Sequence, residues 1–224
     1  MKALVIDCAI SKLSIAAKNE DKVCVTSYDI GMKQSEILVT AIDYALSTVE
    51  LTTSELDYTA LTIGPGSFTG LRLGISALKA IQLAYDVPVY GISSLEAYAY
   101  SMNNVFDMPI ISAIDAHKEC FYAYIKNNNS ILLEEGDYPI TKIIEEVSKF
   151  DNLIITGPDS QKLKELITNE NKSIKIFCQN YQPIPVESLF YIAEDKINKN
   201  DPPLQDYDGP VYLRASEAEI KLNN

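Results

Sequence analysis

One histidine, His117, stands in the 224 residues, and none of the four cysteines (Cys8, Cys24, Cys120, Cys178) forms a C-x-x-C pair. These shortages argue against a zinc site built on His and Cys, which needs several such ligands at defined spacing. They also argue against a protease. No nucleophile–base pair is evident, and the lone His117 falls in a turn beside Lys118. Scattered cysteines read as small apolar residues in a reducing cytoplasm rather than as a disulfide framework. No apolar run approaches the roughly 20 residues that span a bilayer, so no membrane contact is expected. The opening Met1-Lys2-Ala3-Leu4-Val5-Ile6-Asp7 reads as a first strand and not as a signal peptide. Positive charge is scarce as well: 19 Lys and Arg face 31 Asp and Glu, a net charge of -12. Such a chain is repelled by phosphate backbones unless it carries a basic stripe. The densest basic stretch, Lys162 to Lys175, is broken by Glu165 and Glu170. Direct nucleic-acid binding by this chain alone is not expected.

What is present is ordinary for a globular protein: 47% hydrophobic and 22% charged residues. The length allows one large domain or two small ones. Residues 2–7 read as a strand, and 12–18 with 22–28 as a hairpin around Asn19-Glu20-Asp21. Ile37, Leu38, Ala41, Ile42, Ala45, Leu46 and Val49 repeat at helical spacing, which predicts a helix near 35–50 with Ser35 as its N-cap. A strand near 60–63, a Gly-rich loop, a helix at 71–85, a strand at 89–92 and a helix opened by Ser93-Ser94-Leu95-Glu96 follow. The pattern then restarts with strands at 109–115, 120–126 and 131–134. Helices near 141–150, 159–169 and 186–199 alternate with strands near 152–156 and 174–177. Asp7 and Asp115 both stand at the tip of an apolar strand before a hairpin. The order predicts a duplicated α/β fold of mixed sheets covered by helices, split into lobes at 1–105 and 106–224.

The stretch Gly64-Pro65-Gly66-Ser67-Phe68-Thr69-Gly70-Leu71-Arg72 lies between a strand and a helix, where phosphates often bind. It fails both nucleotide templates. The Walker loop requires Lys-Ser/Thr after the last glycine, and Leu71-Arg72 stands there. The dinucleotide pattern requires a glycine at position 69, which is Thr69. On a helix, Gly70, Gly74, Ala77, Ala80 and Ala84 share roughly 120° of arc. That stripe of small residues admits a close neighbour, either a partner's helix or the protein's own sheet. Arg72 sits in the first helical turn, where the macrodipole disfavours a cation. It pairs with Glu36 or Asp57, or it meets an anion or a partner's carboxylate.

Val5-Ile6-Asp7, Gln34-Ser35-Glu36, Gly64 to Gly74, Gly91-Ile92-Ser93-Ser94-Leu95-Glu96-Ala97 and Pro210-Val211-Tyr212-Leu213-Arg214 occur in this order. Together they resemble the TsaB (YeaZ) family of the bacterial tRNA threonylcarbamoyladenosine machinery. The resemblance covers the whole chain and is strongest over 60–97. It implies a two-lobed actin-like, Hsp70-like ATPase (ASKHA) fold. It implies an accessory subunit with no catalytic residues, no metal and no cofactor of its own. The related subunit TsaD performs the threonylcarbamoyl transfer to the adenosine beside the anticodon, TsaE binds the pair, and tRNA is reached only through the complex. ATP or ADP at the TsaD junction, near Asp7 and Asp115, is compatible with the family. The implied partner interface includes Glu36, Ile37, Ala41, Gly70, Arg72, Gly74, Ala77, Ala80 and Ala84, which would serve a homodimer when the chain is alone.

The sequence departs from the family at three places. Gln34 replaces a usual His, His117-Lys118 replace two arginines, and Cys8-Ala9-Ile10 lacks the hydroxyls found after the first Asp. A stand-alone regulatory homodimer or a weak ATPase of the same fold are the alternatives. On the residues alone, Asp7 and Asp115 read first as caps of their following turns.

Overall fold

The computed structural model describes residues 1–102, 107–128, 130–178 and 185–214. Two compact units emerge: Met1–Ser101 with Ile184–Pro210, and Met102–Pro183 with Val211–Asn224.

In the first unit, β1 (Lys2–Asp7), β2 (Lys12–Asn19) and β3 (Lys22–Asp29) form an antiparallel meander. β4 (Tyr58–Gly64) and β5 (Val89–Ser93) extend it in parallel, giving the order β3-β2-β1-β4-β5. β1 is buried over Ala3–Asp7 because both faces of the sheet are covered by helices. On one face, Leu4, Ile6, Leu13, Ile15 and Leu61 meet α1 (Gln34–Thr48) and α2 (Phe68–Tyr85) through Leu38, Ala41, Ala45, Ile75 and Leu78. On the other, Ala3, Val5, Tyr58 and Ala60 meet α3 (Ser94–Tyr100) and α6 (Val186–Asn198) through Ala97, Leu189, Phe190 and Ala193.

The position of α6 corrects the lobe boundary drawn from sequence. Residues 184–210 return to the first unit, although they follow the whole of the second sheet. The physical reason is burial. Leu189, Phe190 and Ile192 are at most 4% exposed, and each such side chain contributes about 1.5–3 kcal/mol. A polar tie adds to this. The Tyr58 hydroxyl donates to Glu194 Oε1 at 3.0 Å, and the Lys18 ammonium reaches the same oxygen at 2.5 Å.

The second unit repeats the strand topology. β6 (Ile110–Asp115), β7 (Cys120–Asn127) and β8 (Ser130–Pro139) are antiparallel, and β9 (Asn152–Thr156) and β10 (Lys175–Cys178) are added in parallel, in the order β10-β9-β6-β7-β8. α4 (Ile140–Val147) and α5 (Ser160–Glu170) cover it through Ile143, Val147, Leu163 and Ile167. The duplication expected from the paired Asp-tipped strands is therefore present. β8 runs six residues further than the expected 131–134 would allow at its two ends together. No helix among the described residues is long and apolar enough to cross a membrane.

Candidate functional site

The Gly-rich loop joins β4 to α2, and α2 starts at Phe68, earlier than the periodicity predicts. Ser67 is its N-cap, accepting from Gly70 N at 3.2 Å. The loop lies directly on the β1–β2 turn. Ser67 N donates to Ala9 O at 2.6 Å. A Cβ on Gly66 would fall 2.3 Å from Ala9 O, and one on Gly70 would fall 2.1 Å from Cys8 O. Glycine is required here so that two backbones can touch. Gln34, 6% exposed, completes the arrangement by donating from Nε2 to Ile10 O at 2.6 Å. It occupies the first position of α1, and Ser35 is inside the helix rather than its N-cap, which is Lys33.

The small-residue stripe divides along its length. Gly70 and Gly74 are buried against the unit's own β1 and β4, with Cys8 Sγ and Leu61 Cδ1 each 3.4 Å from a Cβ built on Gly74. Ala77 is half-buried beside the core, and Ala80 and Ala84 are exposed. Ala41 is 2% exposed in the core and Ile37 is half-buried at its rim. Gly70, Gly74 and Ala41 are therefore internal packing residues, which corrects their assignment to a partner interface. The reason is direction: the strand ends beneath α2 draw the N-terminal half of the stripe inward. Glu36 and Arg72 are exposed.

The outward line of α2 is a different one. Arg72, Ser76 and Leu83 lie within about 40° of each other around the helix. Leu83 is 90% exposed, and on the neighbouring α1 Val39 is 75% exposed. Tyr44 and Tyr85 add further exposed apolar surface on the same two helices. The periodicity that located the inward faces also contained this signal, because Val39 and Leu83 are the apolar residues that do not fit those faces. The Arg72 guanidinium stacks on the Phe68 ring, 3.7 Å from its centroid. Asp57, one expected partner of Arg72, accepts from the Lys2 backbone N–H.

Both strand-tip aspartates cap their turns, as expected from the sequence. Asp7 is 1% exposed and its Oδ1 accepts from Ala9 N at 3.0 Å and Thr62 Oγ1 at 2.7 Å. Burial pushes its carboxyl upward in pKa, against the lowering effect of those two donors. Asp115 accepts from His117 N at 2.9 Å and from the Lys162 ammonium at 2.6 Å. Partial burial works upward there too, but the Lys162 and His117 contacts outweigh it and hold the group below its usual value. Asp7 and Asp115 belong to separate units, and each has its own set of partners. His117, Lys118 and Glu119 are all left-handed, with φ of 61°, 53° and 59°. Arg214 anchors that hairpin with a fork to Asp137 at 2.6 and 2.9 Å and a bond to Ala116 O at 2.7 Å. Among the described residues no group of three His, Cys, Asp or Glu is placed to hold a metal ion.

Two five-stranded mixed sheets, each with an antiparallel meander followed by parallel crossovers, define an actin-like ATPase fold. A Bacteroides thetaiotaomicron protein described as having that fold matches with a TM-score of 0.50 at 12% identity, over 85% of this chain and 95% of that one. YeaZ from Pseudomonas aeruginosa matches with a TM-score of 0.78 at 19% identity, over 95% of this chain and 99% of that one. The family model described as "TsaD: tRNA N6-adenosine threonylcarbamoyltransferase" matches residues 31–196. The tRNA threonylcarbamoyladenosine biosynthesis protein TsaB of Bacillus subtilis is 27% identical over 99% of this chain and 97% of its own length. The chain belongs to the family this model describes, on its TsaB (YeaZ) side.

Proposed function

We propose that this chain is the non-catalytic subunit of the machinery that makes threonylcarbamoyladenosine in tRNA. It pairs with a TsaD-type transferase through the outer faces of α1 and α2, TsaE engages the pair, and tRNA is reached through the partner in the cytoplasm. The observation that carries this reading is the set of exposed large apolar side chains on α1 and α2, with Leu83 at 90% and Val39 at 75%. The same face serves a homodimer when the partner is absent. Any ATP or ADP sits at the junction with the partner. Independent turnover of ATP is not expected.

The test is affinity for a TsaD-type transferase together with threonylcarbamoylation of tRNA by the reconstituted set. Burying an exposed Leu contributes about 1.5–3 kcal/mol, roughly 10- to 150-fold in affinity. Leu83→Asp should lose at least that much binding and abolish modification while leaving the melting temperature unchanged. Wild-type affinity in Leu83→Asp would refute the seam, and robust ATP turnover by the pure chain would refute the accessory role.

A further inference from the structure

We propose that the groove between α4 and α5 of the second unit docks a basic amphipathic segment of a partner protein. This surface is separate from the α1/α2 seam and does not depend on it. The groove has a cavity of about 470 Å³, walled by Ile140 and Ile144 from α4, by Leu166, Asn169 and Glu170 from α5, and by Glu119 from the turn before β7. Ligand sites commonly measure roughly 300–1,000 Å³. Ile140 and Ile144 are four apart, and Leu166, Asn169 and Glu170 stand at i, i+3 and i+4, so each helix contributes one face. The three apolar side chains are half-buried and packed at the edge of the core cluster that holds Ile143, Val147, Leu163 and Ile167.

The two carboxylates select the occupant. Glu119 and Glu170 are exposed, and neither side chain has an ion pair or hydrogen bond among the described residues. Nearby lysines are already engaged: Lys142 meets Glu145 at 3.3 Å and Glu146 at 2.8 Å, and Lys162 meets Asp115 at 2.6 Å. Folding does not account for Glu170. It is the last residue of α5, whose final turn holds no basic residue, and the macrodipole opposes an anion there. A lysine or arginine from outside answers both the carboxylate and the negative helix end, while its aliphatic stem lies along Leu166. An apolar residue beside it on the same helical face then covers Ile140 and Ile144, the mode of a helix laid in a groove. A second copy of this chain fits poorly. It carries a net charge of -12, and its densest basic stretch, Lys162 to Lys175, includes most of α5 itself. Nucleic acid and anionic lipid bring the wrong sign.

The probe is a synthetic amphipathic helix of leucine and lysine, set against a twin in which glutamate replaces lysine. Each is titrated into the full-length chain at physiological salt, with the Ile and Leu methyl groups followed by NMR. The Leu/Lys helix should shift the methyl signals of Ile140, Ile144 and Leu166, and the Leu/Glu twin should not bind. Glu119→Gln/Glu170→Gln should weaken binding about 3- to 30-fold, the loss of two partly exposed ion pairs. Glu20→Gln/Asp21→Asn removes as much charge from the β2–β3 turn and should change affinity by less than about twofold. Asn169→Lys, at an exposed helix position, puts a cation into the groove. It should weaken binding about tenfold or more with the melting temperature unchanged. Equal losses in the two charge-removing variants would mean general attraction to an acidic chain and would overturn the docking site. Binding of the Leu/Glu twin, no binding of the Leu/Lys helix, or methyl shifts confined to other residues such as Leu83 would overturn it as well. Self-association of the free chain that Asn169→Lys abolishes would make a second copy the occupant and refute the basic partner.

Discussion

Gly70→Ala and Gly74→Ala should move stability in opposite directions, although both place the same methyl group on the same helix. At Gly70 the added Cβ would stand 2.1 Å from Cys8 O, a backbone atom, and 3.2 Å from Gln34 Oε1. The side chain of Gln34 can turn, but Cys8 O cannot withdraw without pulling β1 off its register with β2 and β4. Overpacking of this kind costs about 1–3 kcal/mol, and contact with backbone belongs at the upper end. Replacing glycine by alanine in a helix returns about 1 kcal/mol. The net loss is about 2 kcal/mol, or roughly 4–8 °C in melting temperature for a chain of this size. At Gly74 the new Cβ would meet Cys8 Sγ and Leu61 Cδ1 at 3.4 Å, an ordinary contact. There the helix-propensity gain survives, and the melting temperature should rise by about 2–4 °C. Calorimetry on the two variants and the parent decides the matter. A Gly70→Ala protein as stable as the parent would show that the loop does not depend on backbone contact with the β1–β2 turn. Because both sites face inward, neither variant should lose affinity for a partner once folded.

Asp7→Asn should keep both hydrogen bonds to Oδ1 and remove a buried charge. The folded pKa of Asp7 is raised above 3.8, so its stabilising contribution is present at low pH and lost as pH rises through the folded value. Asn has no such loss, so the variant should melt at or above the parent near about pH 8 and the gap should close near about pH 4; a variant that is less stable at both would refute this. Lys118→Gly should stabilise the second unit by up to about 1 kcal/mol, because Lys118 holds φ at 53° with its side chain exposed. A lowered denaturation midpoint would show that the lysine is held by contacts the turn depends on. Tyr58→Phe removes the donor to Glu194 and should cost about 1–3 kcal/mol, read as a lower denaturation midpoint; no change would mean the α6 tie is carried by apolar packing alone.

Much of this was legible in sequence where the cause is local. The turn caps at Asp7 and Asp115 depend on a bond two residues away, so a strand-tip aspartate before a turn is enough to predict them. The inward face of α1 follows from its own spacing, down to Leu38, Ala45 and Leu46. Direction and partnership over long range were not legible. Gly70 and Ala84 share a stripe on the helical wheel, yet one is under β1 and the other is in solvent. Their separation depends on where the strand ends lie beneath α2. The return of α6 to the first sheet spans 132 residues between Tyr58 and Phe190, and no local pattern encodes it. Phe68 and Arg72 are four apart, the spacing of helical neighbours, but the later expected start of α2 left Phe68 in the loop.

The two hairpin tips show how one duplicated topology serves two ends. At the Asp115 turn, three left-handed residues stand exposed, and the carboxylate pairs with Lys162 from α5. At the Asp7 turn the Gly-rich loop packs against the turn's backbone. Ser67 N is bonded to Ala9 O, Gly70 N to Ser67 Oγ, and Leu71 N to Ser67 O. The Ser67 and Gly70 N–H groups are thereby engaged within the chain. The outward line of α2 runs from Arg72 to Leu83, on the side of the helix away from that loop. The Gly-rich loop sets the height of α2 above the sheet through its backbone contacts with Cys8 and Ala9.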